Sequence, residues 1–287
     1  MQIIKHNDIK SFLIANEVLL LKNESFHNLI LGLAYNIRDQ KLELTDPIYY
    51  SIKNGDEVIA CALRSNSDRP LIVTKMPNEA IDLLIQNLIN NQIELASVVG
   101  EENSSIYFKD QWVKIKNLNF KINIHLGVFE CTKVKMPENI LGELIQADSE
   151  HRNILHTYIK GFNQDCFPNQ PMSDEDVEKL IIRNLNNKSI FLLKNKSDEL
   201  VSMAANFRST LNGGTISLVY TPPEYRGFGY ASSAVALLSQ KIIHQGKKFA
   251  NLFTDLSNPT SNSIYQKIGF VKIGQNIHFD FIENDHS

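Results

Sequence analysis

The sequence predicts an α+β fold, a mixed sheet flanked by helices, laid down twice along one chain. Three observations carry this reading. Apolar residues switch repeatedly between strand-like and helix-like spacing. Short clusters of Gly, Pro, Asn and Asp separate the runs. The same order of elements (helices, hairpin, strand, helix, strand) occurs in each half, in pattern rather than in letters. With 287 residues, the chain exceeds one average domain at roughly 100–200 residues each. Hydrophobic residues at 43% and charged residues at 21% exclude a disordered, collagen-like or rod-like chain.

The first half opens with a short strand at Gln2-Ile3-Ile4 and helical patterning from about Asp8 to Asp39, ended by Asp46-Pro47. Two β-rich runs, Tyr49–Ile52 and Glu57–Leu63, flank Asn54-Gly55-Asp56 and read as a hairpin. Leu71–Thr74 forms a third strand, stopped by Pro77. Ala80, Leu83, Leu84, Asn87 and Leu88 give Glu79–Asn90 one helical face, and Glu94–Val99 is strand-like up to Gly100. A helix and two strands, the last at Gly127–Thr132, complete the half. Residues 1–132 therefore form one domain, and 133–139, with Pro137, a linker to a second at 140–287.

In the second half, Ile140 to Ile159 reads as helix. Ser173 caps another, whose acidic start Asp174-Glu175-Asp176 suits the positive dipole end. Ile190–Leu193 and Glu199–Ala205 form a hairpin, and Thr215–Tyr220 the next strand. That strand stops at Pro222-Pro223, since neither proline can donate to a sheet. A helix follows from near Gly229, with Ala231, Ala234, Val235, Leu238 and Ile242 on one face and Gly246 past its end. A strand, a glycine turn and a helix aim several backbone N–H groups at one spot, a cradle for phosphate. Gly227 and Gly229 permit close backbone approach, and Arg226 adds charge. Beyond the strand Asn251–Asp255, Asn258-Pro259 opens a short helix that carries Tyr265 and stops at Gly269.

Together these segments resemble a known family, the GCN5-related N-acetyltransferases (GNAT). Arg226-Gly-Phe-Gly229-Tyr-Ala231 is similar to the family's R/Q-x-x-G-x-G/A signature for acetyl-coenzyme A. Asn258 through Phe270 resembles its N-x-x-S/A-x-x-x-Y-x-K-x-G-F/Y segment. The resemblance is specific over about Ile216–Phe270 and softer over the rest of the second half. It implies two GNAT-like domains in tandem, only the C-terminal one carrying the acetyl-CoA motif. It implies further that the amides of Arg226, Gly227, Phe228, Gly229, Tyr230 and Ala231 hold the pyrophosphate. Val219, Tyr220 and Thr221 would pair with the pantetheine arm and polarise the thioester, and Asn258 would touch pantetheine. Tyr265 would protonate the departing thiolate, a role open to a phenol of pKa near 10. Ala231 stands where many members have glycine. The first half has neither arginine nor glycine at Met76-Pro77-Asn78-Glu79, the counterpart of the cradle. It resembles the degenerate copy of tandem acetyltransferases and is expected to bind no coenzyme A.

The expected activity is transfer of acetyl from acetyl-CoA, a co-substrate, to a primary amine of a small molecule or peptide. The alternative is a non-catalytic acyl-CoA-binding sensor or regulatory module, for which Tyr265 would be unnecessary. A tandem transferase using aminoacyl-tRNA fits less well, since such proteins typically lack the pyrophosphate turn. Glu224, Ser217 and Asp255 are each too weakly supported for any to be named the base that deprotonates the amine. A net charge of -3 disfavours nucleic acid or an anionic membrane as partner. No apolar run approaches the roughly 18 residues of a spanning helix, and no secretory signal is visible, so a cytoplasmic monomer or homodimer is expected. Cys61, Cys131 and Cys166 lack C-x-x-C spacing and read as small buried residues. His151 and His156, five apart, do not align as a metal pair, so no metal is expected.

Overall fold

The computed structural model describes residues 1–284, with the side chains of Thr260 and Ser261 outside that description. The chain forms two compact units. The first comprises Met1–Val128, Asp255–Ser257 and residues 273–284, the second Phe129–Thr254 and Asn258–Lys272.

The first unit runs β1 (Gln2–Lys5), α1 (Ile9–Leu21), α2 (Asn28–Arg38), β2 (Ile48–Asn54), β3 (Glu57–Arg64), β4 (Leu71–Val73), α3 (Asn78–Asn90), β5 (Ser97–Glu101), α4 (Glu102–Lys116) and β6 (Leu118–Cys131) as far as Val128. The helical stretch expected from Asp8 to Asp39 is two helices, α1 and α2, broken at residues 22–27. Asp8 starts α1 by accepting the Ser11 N–H at 2.8 Å. Residues 118–131, expected to hold two strands, form one, and Gly100 lies inside β5 rather than at its end. Alternation along the strands sends side chains to opposite faces. Tyr50, Ala62, Leu71 and Val98 pack with α3 and α4. Tyr49, Cys61, Ile72 and Val99 pack with α1 and α2.

The second unit runs β7 (Glu143–Gln146), α5 (Arg152–Cys166), α6 (Asp174–Asn186), β8 (Ile190–Lys194), β9 (Leu200–Ser209), β10 (Gly213–Tyr220), α7 (Tyr230–His244), β11 (Phe249–Asp255) and α8 (Pro259–Ile268). The helix expected over Ile140–Ile159 is instead β7 followed by α5. Glu143–Gln146 pairs with β8, so an edge of the sheet claims residues that helical spacing alone assigns to the helix. Asp148 then accepts from His151 and Glu150 to open the turn into α5. Ser173 caps α6, its hydroxyl accepting the Asp176 N–H at 3.1 Å. Here too the sheet has two packed faces: Leu192, Met203, Ala205 and Leu218 against α5 and α6, and Leu193, Ala204, Ile216 and Leu252 against α7 and α8.

The last strand, β12 (Val271–Glu283), pairs antiparallel with β5 from Asn276↔Glu101 to Asp280↔Ser97. A cut at 133–139 therefore does not divide the chain: residues 273–284 belong with the first unit. The chain holds the same element order twice, β-α-α-β-β-β-α-β-α-β, from β1 to β6 and from β7 to β12.

Candidate active site

The second unit brings the signature residues to one place. β10 and β11 are parallel and pair from Gly213↔Phe249 to Ile216↔Leu252, where the pairing ends although both strands continue. On its other side β10 pairs with β9 at Ser217↔Ala205 and then at Tyr220↔Met203. Leu218 and Val219 thus face the single residue Ala204, a β-bulge. Leu218 takes φ +51°, a left-handed conformation that costs a bulky residue roughly 1–2 kcal/mol. Its buried side chain packs under α5 and α6, which holds the bulge in place. The sequence carries no mark of this bulge, because leucine is a poor choice for positive φ.

Past the bulge, the carbonyl of Tyr220 accepts the Ser202 hydroxyl at 2.9 Å, and Ser202 also meets Thr221 Oγ1 at 2.9 Å. Ser202 is fully buried; a serine inside the apolar run Leu200–Ala205 was its only signal in the sequence. The Tyr220 ring lies 5.6 Å from that of Tyr158, on α5 where Gly161 leaves room. A Cβ at Gly161 would stand 2.2 Å from the Tyr220 hydroxyl.

The turn after Pro222-Pro223 supplies the cradle. Pro223–Tyr225 makes a single 3₁₀ turn. Gly227 and Gly229 follow at φ +85° and +93°, values that L side chains adopt only under strain. Gly229 is the N-cap of α7 and no side chain caps that helix. The first N–H groups of α7 consequently have no side-chain acceptor, and the dipole leaves them positive. A Cβ on Gly227 would meet nothing within 4 Å, so the turn is open to a ligand. Phe228 is exposed, whereas Tyr230 packs at the edge of the core.

The Arg226 side chain does not point its charge at the helix start. Its Nε donates to the Thr221 carbonyl at 2.9 Å, and its guanidinium pairs with Asp165 at the end of α5. A cation beside a carboxylate and a carbonyl is already neutralised, so the guanidinium is occupied within the turn. Asp165 was not legible in the sequence.

Tyr265 sits on α8, its ring 6.0 Å from Phe270 and within the core shared with α7. Burial, aided by the nearby Cys166, pushes its phenol up to about 12. The proton is therefore held at neutral pH, but the phenol is a weaker acid than a value near 10 implies. Cys61 and Cys131 are buried as expected, whereas Cys166 is exposed at the end of α5. Asn258 is exposed just before α8. Glu224 is exposed in the 3₁₀ turn, and the Asp255 carboxylate takes the Ser257 N–H and hydroxyl. Both acids thus have ordinary structural surroundings.

The counterpart in the first unit is built differently. β4 and β5 are also parallel, but β4 stops at the last pair, Val73↔Gly100, and β5 runs only one residue further. The turn from β4 to α3 has Pro77 as N-cap and no glycine. Among the described residues, no group of three or more His, Cys, Asp or Glu could hold a metal ion, and no helix is long and apolar enough to cross a membrane.

Comparison with known proteins agrees with this geometry. A GNAT acetyltransferase from Colwellia psychrerythraea superposes with TM-score 0.59 at 13% identity, covering 99% of this chain and 100% of that one. A GCN5-related N-acetyltransferase from Sphaerobacter thermophilus gives 0.62 at 14%, covering 98% and 96%. A tandem GNAT protein from the clavulanic acid biosynthesis pathway gives 0.58 at 8%, covering 97% of each. The chain has the GNAT fold in tandem. Residues 193–279, which span the cradle and Tyr265, match the family model of the FR47-like proteins. No curated protein matches the chain.

Proposed function

We propose that the protein is an N-acetyltransferase that moves an acetyl group from acetyl-CoA to a primary amine. The observation that carries this reading is the uncapped start of α7, entered through two glycines at positive φ, beside a parallel strand pair that separates. The residues fit the cofactor on that ground: the turn is open, the start of α7 has no side-chain cap, and the strand edge beyond Ile216 is released from β11.

In this reading the backbone from Arg226 to Ala231 holds the pyrophosphate. Val219, Tyr220 and Thr221 offer the bulged edge of β10 to the pantetheine arm, and Asn258 approaches that arm from the start of α8. Bound acetyl-CoA supplies an activated thioester for direct attack by the amine. Tyr265 keeps its proton at neutral pH and donates a hydrogen bond to the sulfur as negative charge grows there. With its phenol at about 12, this stabilisation weighs more than complete proton transfer to a thiol of ordinary pKa. The acceptor amine loses its proton to water or to a group supplied with the acceptor.

Incubation with acetyl-CoA and a mixture of primary amines, following free thiol, tests the proposal. Thiol release that depends on amine is the expected result. Tight acetyl-CoA binding without amine-dependent release would favour the acyl-CoA-binding module.

A further inference from the structure

The first unit contains a cavity of about 820 Å³, within the roughly 300–1,000 Å³ typical of small-ligand sites. It lies where β4 passes into α3 and β5 into α4, the position in this unit that matches the cradle in the other. All its lining residues belong to the first unit. Phe26, Ile59, Met76 and Ile273 make most of the wall apolar.

Its charged groups are two carboxylates and one lysine. Glu101 and Glu102 line the cavity where an anion site would need bare amides. Glu101 caps α4: its Oε2 accepts the Ser104 N–H at 3.0 Å and hydroxyl at 2.7 Å, and its Oε1 the Asn103 amide at 3.4 Å. Glu102 accepts from Gln275 Nε2 at 2.6 Å on one oxygen and faces His125 Nε2 at 2.9 Å on the other. A carboxylate offers about four acceptor positions, so these contacts fix Glu102 without exhausting it. His27 is also in the wall. Its Nδ1 lies 3.0 Å from the Leu20 carbonyl, which can only accept. The proton is therefore on Nδ1, and Nε2 is a further acceptor in a ring that burial keeps neutral. Lys75 is exposed on the lining and adds a positive charge.

We infer that this cavity is a second ligand site, one that takes a small organic ammonium ion with an apolar body and rejects phosphates. Glu102 and the His27 imidazole offer acceptors to the N–H donors of an ammonium group, Glu101 adds negative charge, and the apolar wall matches the rest of such a molecule. The inference does not rest on acetyl transfer by the second unit.

The test titrates the full chain with 2-phenylethylamine and, separately, with 3-phenylpropanoate, which has a similar body and opposite charge, by calorimetry and amide NMR. The amine is expected to bind at a Kd of about 1 mM or tighter, as a ligand of its size can. Its shifts should centre on Phe26, Ile59 and Met76, with the acid at least tenfold weaker. Glu102→Gln should weaken the amine several-fold, and Lys75→Glu, on the exposed rim, should tighten it. Gly229→Val should leave this affinity unchanged, which separates the site from the acetyl-CoA cradle. The inference is overturned by equal binding of amine and acid, by no amine binding, by shifts centred in the second unit, or by amine affinity indifferent to both charge changes.

Discussion

Ile216 and Leu252 are the last residues that pair β10 with β11, and both strands run on past them, to Tyr220 and to Asp255. In the first unit the matching pair, β4 and β5, stays joined through Val73↔Gly100. One element order, written twice, thus gives one parallel pair in which both strands run on past the last pairing and one in which the first strand stops at it. The difference traces to the bulge at Leu218-Val219, which takes β10 out of register with β9, and to the turn that follows it. Four predictions depend on this arrangement.

Gly229→Val should lower affinity for coenzyme A at least a hundredfold. A β-branched residue at φ +93° is strained by about 1–3 kcal/mol, and its Cβ would lie 3.3 Å from Leu141. Relief of either strain turns the amides away from a common point. Calorimetry of coenzyme A binding measures the effect, with a melting curve to confirm that the variant remains folded.

Tyr265→Phe should spare coenzyme A binding and reduce turnover by roughly a hundredfold or more, the scale of one hydrogen-bond donor lost from a developing negative charge. The pH dependence has a definite sign. Burial raises the phenol from 10 to about 12, so its contribution to stability is complete below pH 10 and is lost as pH rises toward 12. Alkaline unfolding should accordingly shift upward in Tyr265→Phe relative to the parent, as circular dichroism across that window can show. Turnover should not show a falling limb from Tyr265 near pH 8 or 9.

Asp165→Asn and Arg226→Gln should each raise the KM for acetyl-CoA several-fold while changing stability by no more than about 1 kcal/mol, because the ion pair is exposed. Its work is to tie the turn to α5. Steady-state kinetics decides the point: if Arg226 instead swings to the pyrophosphate, removal of its competitor Asp165 would lower KM.

Gly161→Ala should destabilise the second unit by about 1–3 kcal/mol, the usual range for overpacking. The added methyl would stand 2.2 Å from the Tyr220 hydroxyl, so the ring must leave α5 and drag the bulged strand with it. Denaturant unfolding gives the energy, and a loss of coenzyme A affinity should accompany it.

The parts legible in the sequence are those set by local chemistry. Pro222-Pro223, the two glycines, Ser173 and Asn258-Pro259 act on their own neighbours, and each lies where its local preference puts it. The parts that were not legible are set by distant partners. Residues 143–146 become a strand because β8 pairs with them. β12 serves the first unit because β5 is its partner. Leu218 accepts positive φ because the core under α5 and α6 holds its side chain, and Arg226 turns aside because Asp165 lies across from it. The identity of Tyr265 was legible, but its acidity was not, since that depends on how much of the core closes over it.

Hydrogen exchange of the full chain with and without coenzyme A tests the central claim most directly. Protection confined to the turn at residues 226–231 and to the end of β10, with none at residues 74–79, is the predicted result. Protection at residues 74–79, or none in the turn before α7, would contradict it.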